Sequence, residues 1–211
     1  AKKLPVVVSI FGGAFVGGSN RYPEDRIPAL VKHGVVYVAP SYRVGWIGFF
    51  AHPALTKAAG NEPVGNYWLT DQILALKWVK DNIAKFGGDP DNITITGCSS
   101  GGSSVNSLTA SPEAKGLFTR ANVRSGGGFF NATRDLSLAE QQGAEYAAKL
   151  GATGADAIAK LSAMTADEIV GGDKGPPNFG AIIDGKLLKL QISVTYARGE
   201  QNRVPMMFTS D

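Results

Sequence analysis

The chain has 211 residues, 44% of them apolar and 18% charged, with a mean hydropathy of −0.02, which excludes disorder and collagen-like repetition and permits a sizeable core. Lysine and arginine number 21 against 18 aspartate and glutamate, a net charge of +3. That excess is small and scattered, so it makes no case for nucleic acid, and no apolar run reaches the ~18 residues of a membrane span. Cys98 is the single cysteine, which rules out an intrachain disulfide. His33 and His52 have no partner at ligand spacing, so neither a metal site nor a cofactor is expected.

In chain order, Pro5 to Ile10 and Val35 to Ala39 are short, near-continuous apolar runs, the pattern of strands buried on both faces. Between them Pro23 to His33 carries Ile27, Leu30 and Val31 at helical spacing. Gly65 to Phe86 is the clearest helix, with Leu69, Ile73, Leu76, Val79, Ile83 and Phe86 at steps of three and four, stopped by Gly87-Gly88-Asp89-Pro90. Ile93 to Thr96 is a strand, Gly102 to Thr109 a helix, and Asn122 to Arg124 and Val204 to Thr209 two further strands. From Leu138 to Val170 the chain turns to alanine-rich helix, with Ser137/Glu140 and Thr165/Glu168 placed as capping boxes, and Gly171 to Asn178 is a Gly/Pro loop. Strands separated by helices predict an α/β fold, a mostly parallel sheet with helices on both faces, with residues 135–175 as a helical insertion.

Glycine, at 27 residues, is about an eighth of the chain against a usual ~7%. Two of its clusters fall where the chemistry is expected. Gly97-Cys98-Ser99-Ser100-Gly101 matches G-x-S-x-G between a strand and a small-residue helix, the setting of a nucleophile elbow. A serine on such a sharp turn points its hydroxyl out of the sheet, and its neighbours must be small to avoid the adjoining backbone. The oxyanion formed when that hydroxyl attacks an acyl carbon needs preorganised N–H donors. Phe11-Gly12-Gly13-Ala14-Phe15, directly after the first strand, offers them, together with the N–H of Ser100.

Gly65-Asn66-Tyr67-Trp68-Leu69-Thr70-Asp71-Gln72, Ala75-Leu76-Lys77-Trp78-Val79, Phe86-Gly87-Gly88-Asp89-Pro90 and Gly97 to Gly102 follow one another along the chain. With Ser41-Tyr42-Arg43-Val44-Gly45, Ala114-Lys115-Gly116-Leu117-Phe118 and Ile183-Asp184-Gly185, this series resembles the type-B carboxylesterase and cholinesterase family, and the unpaired Cys98 resembles a bacterial member more than a disulfide-bearing animal one. The resemblance implies the α/β-hydrolase fold and hydrolysis of small-molecule carboxylic esters through an acyl-enzyme on Ser99. Gly13, Ala14 and Ser100 would then supply the oxyanion hole, and Arg43 and Asp89 a structural ion pair. Phe15 and Phe129 are expected to line the substrate pocket.

The chain departs from the family at Ala14, where a third glycine is usual, at Cys98, usually glutamate, and at Ser100, usually alanine. Cys98 is expected to be buried and inert. In this fold the triad acid and histidine follow the nucleophile, whereas His33 and His52 precede Ser99, and Asp211 falls short of the family's acid. Residues 1–211 are therefore expected to be part of one domain, lacking its N-terminal strands and C-terminal part, and dependent on the remainder of the same polypeptide for the acid and histidine. By themselves they are not expected to reach triad-level rates. The competing readings are a non-catalytic adhesion or binding member of the same fold, and an amide or carbamate hydrolase.

Overall fold

A computed structural model describes residues 3–21, 26–127, 134–171 and 179–210. Five parallel strands form its sheet: β1 (Leu4–Ile10), β2 (Val36–Val38), β3 (Gly88–Cys98), β4 (Arg120–Arg124) and β7 (Met206–Thr209), in the order β2-β1-β3-β4-β7. The apolar runs predict the central strands well: Val6, Val8, Ile10, Ile93, Ile95 and Val123 are all buried. β3 begins earlier than the Ile93 to Thr96 run, because Leu4 pairs with Gly88 while Val6 pairs with Ile93. The intervening residues, Pro90 among them, form an irregularity that keeps proline out of the regular ladder.

The helices divide between the two faces. The step from β1 to β2 runs one way across the sheet, and the steps to β3, β4 and β7 run the other way. Right-handed crossovers therefore place α1 (Arg26–Val31) on one face and α4 (Tyr67–Asn82), α5 (Ser100–Ala110) and α9 (Ile192–Ala197) on the opposite face. α4 packs on α5, and α5 on α9. The strand order reverses between β1 and β3, so the carboxyl ends of these two strands flank the crevice where an open α/β sheet characteristically holds its ligand.

α4 buries the predicted stripe, with Leu69, Ile73, Leu76 and Val79 on the core side. Phe86 departs from it and is 62% exposed against Trp78. The last turn, Ile83–Phe86, tightens to a 3-10 helix, whose three-residue period rotates Phe86 off the four-residue stripe. Two short helices, α2 (Gly45–Phe49) and α3 (Pro53–Ala59), occupy the stretch before α4 that the sequence pattern left unassigned. Phe49 and Trp68 stack at 5.3 Å in the centre of the core.

Of the alanine-rich stretch, α6 (Leu136–Lys149), α7 (Ala157–Ser162) and α8 (Ala166–Val170) form as separate helices. The Thr165/Glu168 capping box is present, but the Ser137/Glu140 box is not. α6 starts two residues earlier, behind Asp135, because the preceding residues are held as β5 (Arg134–Asp135) against β6 (Ile182–Ile183). Ser137 thus falls inside the first turn, where it has no free N–H to cap. Most of the expected loop after Val170, residues 172–178, lies outside the described residues.

The Glu168 carboxylate accepts from the Thr165 N–H at 2.7 Å and from its hydroxyl at 2.8 Å, which holds its pKa below the usual 4.5. A depressed carboxylate stabilises the fold above its unfolded pKa and loses that contribution as pH falls through the folded value. α8 should therefore fray at its start as the pH drops below 4.5. Amide exchange at Glu168 and Ile169 measures this, and pH-independent protection there would contradict it.

Asn66 is fully buried at the start of α4 and carries four bonds. Its Nδ2 donates to Ile182 O at 2.7 Å and to Asp184 Oδ2 at 2.8 Å, while its Oδ1 accepts from Ile182 N at 3.0 Å and Trp68 Nε1 at 3.3 Å. Asp184 in turn accepts from the N–H groups of Lys186 and Leu188. This network explains why Gly65-Asn66 and Ile183-Asp184-Gly185 recur as separate short motifs: each is half of one buried latch. Asn66→Ala strands Ile182 N–H and Trp68 Nε1 in the core, and is expected to cost about 3 kcal/mol. Denaturant unfolding measures the loss, and a cost below about 1 kcal/mol would contradict the latch.

Candidate active site

β3 delivers Ser99 to the carboxyl edge of the sheet at φ 57° and ψ −125°, the N-cap of α5. A non-glycine residue at positive φ is strained, and here the surroundings impose it. The Ser99 N–H donates to Arg124 O at 3.0 Å, pinning the turn to the end of β4. Its carbonyl accepts the Ser103 N–H at 3.0 Å, starting the helix. Ser99 is exposed, and its hydroxyl has no hydrogen-bond partner among the described residues.

The elbow closes only because its neighbours lack Cβ atoms. A Cβ on Gly97 would stand 2.3 Å from Gly101 O, one on Gly101 2.3 Å from Ile10 O, and one on Gly102 2.7 Å from Gly126 Cα. All three are backbone collisions that no rotamer relieves. The small residues therefore let the first turn of α5 lie directly on β1 and on the loop after β4.

The loop after β1 lies against the same turn, since a Cβ on Gly12 would stand 2.5 Å from Cys98 O and 3.3 Å from Ser99 Cβ. Gly13 has φ 129°, with Gly17 O 2.2 Å from where its Cβ would be, so only glycine serves there. Ala14 and Phe15 follow at φ 54° and 62°, a left-handed pair that costs about 1–2 kcal/mol per residue. Val16 and Gly17 N–H both close on Gly13 O, and Gly45 N–H donates to Phe15 O at 2.7 Å. Among the described residues the N–H groups of Gly13, Ala14 and Ser100 are left without an acceptor. The alanine in place of a third glycine thus keeps its N–H available at the price of strain.

Several expected roles are corrected. Arg43 pairs with Asp71 of α4 and not with Asp89: its Nη2 lies 2.7 Å from Asp71 Oδ1, its Nε 2.8 Å and its backbone N 2.9 Å from Oδ2. Asp89 sits at the start of β3, at the amino edge of the sheet, and its carboxylate accepts from Asp91 N. The hydrogen bond to Asp71 pushes the Arg43 pKa up further. Phe15 is 6% exposed with its ring 5.1 Å from Phe49 and 4.9 Å from Trp68, so the side chain belongs to the core and not to a pocket wall. Phe129 lies outside the described residues. Cys98 is half-buried and unpaired, not sealed in the core, because it occupies the last position of β3 beside the exposed Arg124.

Among the described residues neither histidine hydrogen-bonds Ser99. His33 precedes β2, at the amino edge of the parallel sheet and opposite the elbow. His52 is the N-cap of α3, where its Nδ1 accepts the Ala54 N–H at 3.1 Å. Asp71 and Gln72 were missed as site-supporting residues. A signal existed for Gln72, three residues after Leu69 and four before Leu76: a polar residue inside the apolar stripe of a buried helix.

The sequence model of the carboxylesterase family matches residues 1–211. The chain is 36% identical over 206 residues to the fumonisin B1 esterase of Sphingopyxis macrogoltabida, covering 97% of this chain and 38% of that one. It is 39% identical over 173 residues to the para-nitrobenzyl esterase of Bacillus subtilis, covering 81% of this chain and 33% of that one. A crystallised carboxylesterase of Geobacillus stearothermophilus superposes with a TM-score of 0.87 at 36% identity, over 99% of this chain and 44% of that one. The chain thus spans less than half the length of these relatives.

Proposed function

Because the chain belongs to the carboxylesterase family, we propose that it carries the nucleophile and oxyanion hole of a serine esterase acting on small-molecule carboxylic esters. The carrying observation is Ser99 itself, exposed and unpartnered on a strained turn at the switch point of the sheet, with the Gly12-Gly13 loop packed against it. In this reading Ser99 Oγ attacks the ester carbonyl, and the carbonyl oxygen gains the charge. The N–H groups of Gly13, Ala14 and Ser100 stabilise it, aided by the positive end of the α5 dipole behind Ser100. Collapse of the tetrahedral intermediate expels the alcohol and leaves Ser99 acylated; water then releases the acid.

The attack requires a general base for the Ser99 proton. His33 lies at the opposite edge of the sheet and His52 Nδ1 caps α3, so we assign base and acid to polypeptide outside these residues, as the greater length of the relatives allows. The exposed Ser99 favours this enzyme over an adhesion protein of the same fold, in which the hydroxyl would have no task. The test is pre-steady-state hydrolysis of p-nitrophenyl butyrate by the full-length protein. A burst of p-nitrophenol equal to the enzyme concentration is expected, and a folded protein with no turnover would overturn the reading.

A further inference from the structure

Two consecutive residues of α4 are linked, each through one intermediate segment, to the two sides of the proposed oxyanion hole. Asp71 holds Arg43 by three bonds, and two residues on, Gly45 N–H holds Phe15 O in the glycine loop. Gln72, about 100° further round the helix, faces the contact between α4 and α5. Its Nε2 donates to Ser104 Oγ at 3.1 Å, and Ser104 Oγ donates to Ser100 O at 3.0 Å. The result is a directed chain of donors, from the amide of Gln72 to the carbonyl of the residue whose N–H completes the hole.

Packing alone does not account for Gln72. It is 1% exposed and Ser104 fully buried, yet among the described residues the Gln72 Oε1 atom has no partner, nor does the buried hydroxyl of Ser100. A leucine would fill the stripe without the cost of an orphaned amide oxygen. What glutamine adds is the donor on its other end. The first turn of a helix is its weakest, and this one carries the strain of Ser99.

We propose that Gln72 is a positioning residue for ester hydrolysis: through Ser104 it fixes the Ser100 carbonyl, and with it the peptide group that directly follows the oxyanion N–H, while its neighbour Asp71 braces the opposite loop through Arg43. One turn of α4 thereby sets the spacing between the two sets of oxyanion donors. The inference rests on the assignment of Ser99 and its donors above. Hydrolysis of p-nitrophenyl acetate by the full-length protein tests it, comparing Gln72→Leu, Ser104→Ala and the double variant with wild type and Ser99→Ala. Each single variant is expected to lower kcat about tenfold with KM within twofold, an effect smaller than the loss of an oxyanion donor itself. The double variant should lose no more than the worse single one, since both break the same chain.

Unchanged kcat in a folded Gln72→Leu or Ser104→Ala overturns the inference, as does a lowered melting temperature with kcat intact, which marks a structural residue only. A double variant that loses the product of the two single losses also overturns it. If Gln72→Leu does not fold, Ser104→Ala decides by the same criteria. Wild-type activity that survives Ser99→Ala shows instead that the assignment of Ser99 is at fault.

Discussion

Ser99→Ala is expected to lower kcat/KM for p-nitrophenyl esters by at least about a thousandfold, with the melting temperature within about 2 °C of wild type. The separation of the two effects follows from the site. Ser99 Oγ has no hydrogen-bond partner among the described residues, so the core loses nothing with it. The turn is held by backbone bonds, Ser99 N–H to Arg124 O and Ser103 N–H to Ser99 O, which alanine keeps. Alanine also tolerates the positive φ no worse than serine does. A variant that retained a tenth of the wild-type rate would show that the nucleophile is another group. The half-buried Cys98 would then be the group to replace next.

Gly101→Ala is expected to be severely damaging although it adds a single methyl. The new Cβ meets Ile10 O at 2.3 Å and Phe11 O at 2.9 Å, backbone atoms of the last residue of β1 and the first of the glycine loop. Either β1 or the first turn of α5 must give way. Moving them costs about 3 kcal/mol or more, which for a chain of this size lowers the melting temperature by about 10 °C. It also shifts the two walls of the hole against each other, so kcat should fall by more than about tenfold in whatever protein folds. Gly180→Ala is the matched control, because none of the described residues lies within 4 Å of the Cβ it would add and its φ is not positive. Differential scanning calorimetry and ester hydrolysis of the two variants together decide the matter. Equal stability and activity in both would mean that the close approach of β1 to α5 is not needed.

The contrast between these glycines explains how much of the molecule was legible in its residues. Where a local pattern is dictated by a steric requirement, the sequence predicts the structure: the G-x-S-x-G run could close in few ways once a strand preceded it and a helix followed. The parallel strands were equally plain, because Val6, Val8, Ile93 and Ile95 belong to short β-branched runs that end fully buried in the centre of the sheet. Partnerships between distant segments were not legible. Arg43 could be matched with any carboxylate in the neighbouring motifs; only the register of α4 decides that Asp71 faces it while Asp89 stands at the far edge of the sheet. Phe15 failed for a related reason. A residue beside an oxyanion donor invites a pocket role, yet its left-handed backbone turns the ring inward onto Phe49 and Trp68. Gln72 and Asn66 show the same limit from the other side: single polar letters inside motifs, whose roles exist only once their buried partners are in place.

The central claim is that Ser99 is the nucleophile, and covalent trapping tests it most directly. The full-length protein is incubated with a fluorophosphonate, digested, and the modified residue located by tandem mass spectrometry. One phosphonate per polypeptide on Ser99, and none on the Ser99→Ala variant, is the expected result. A folded, active protein that carries the adduct on another residue, or that hydrolyses esters without being labelled at all, would contradict it.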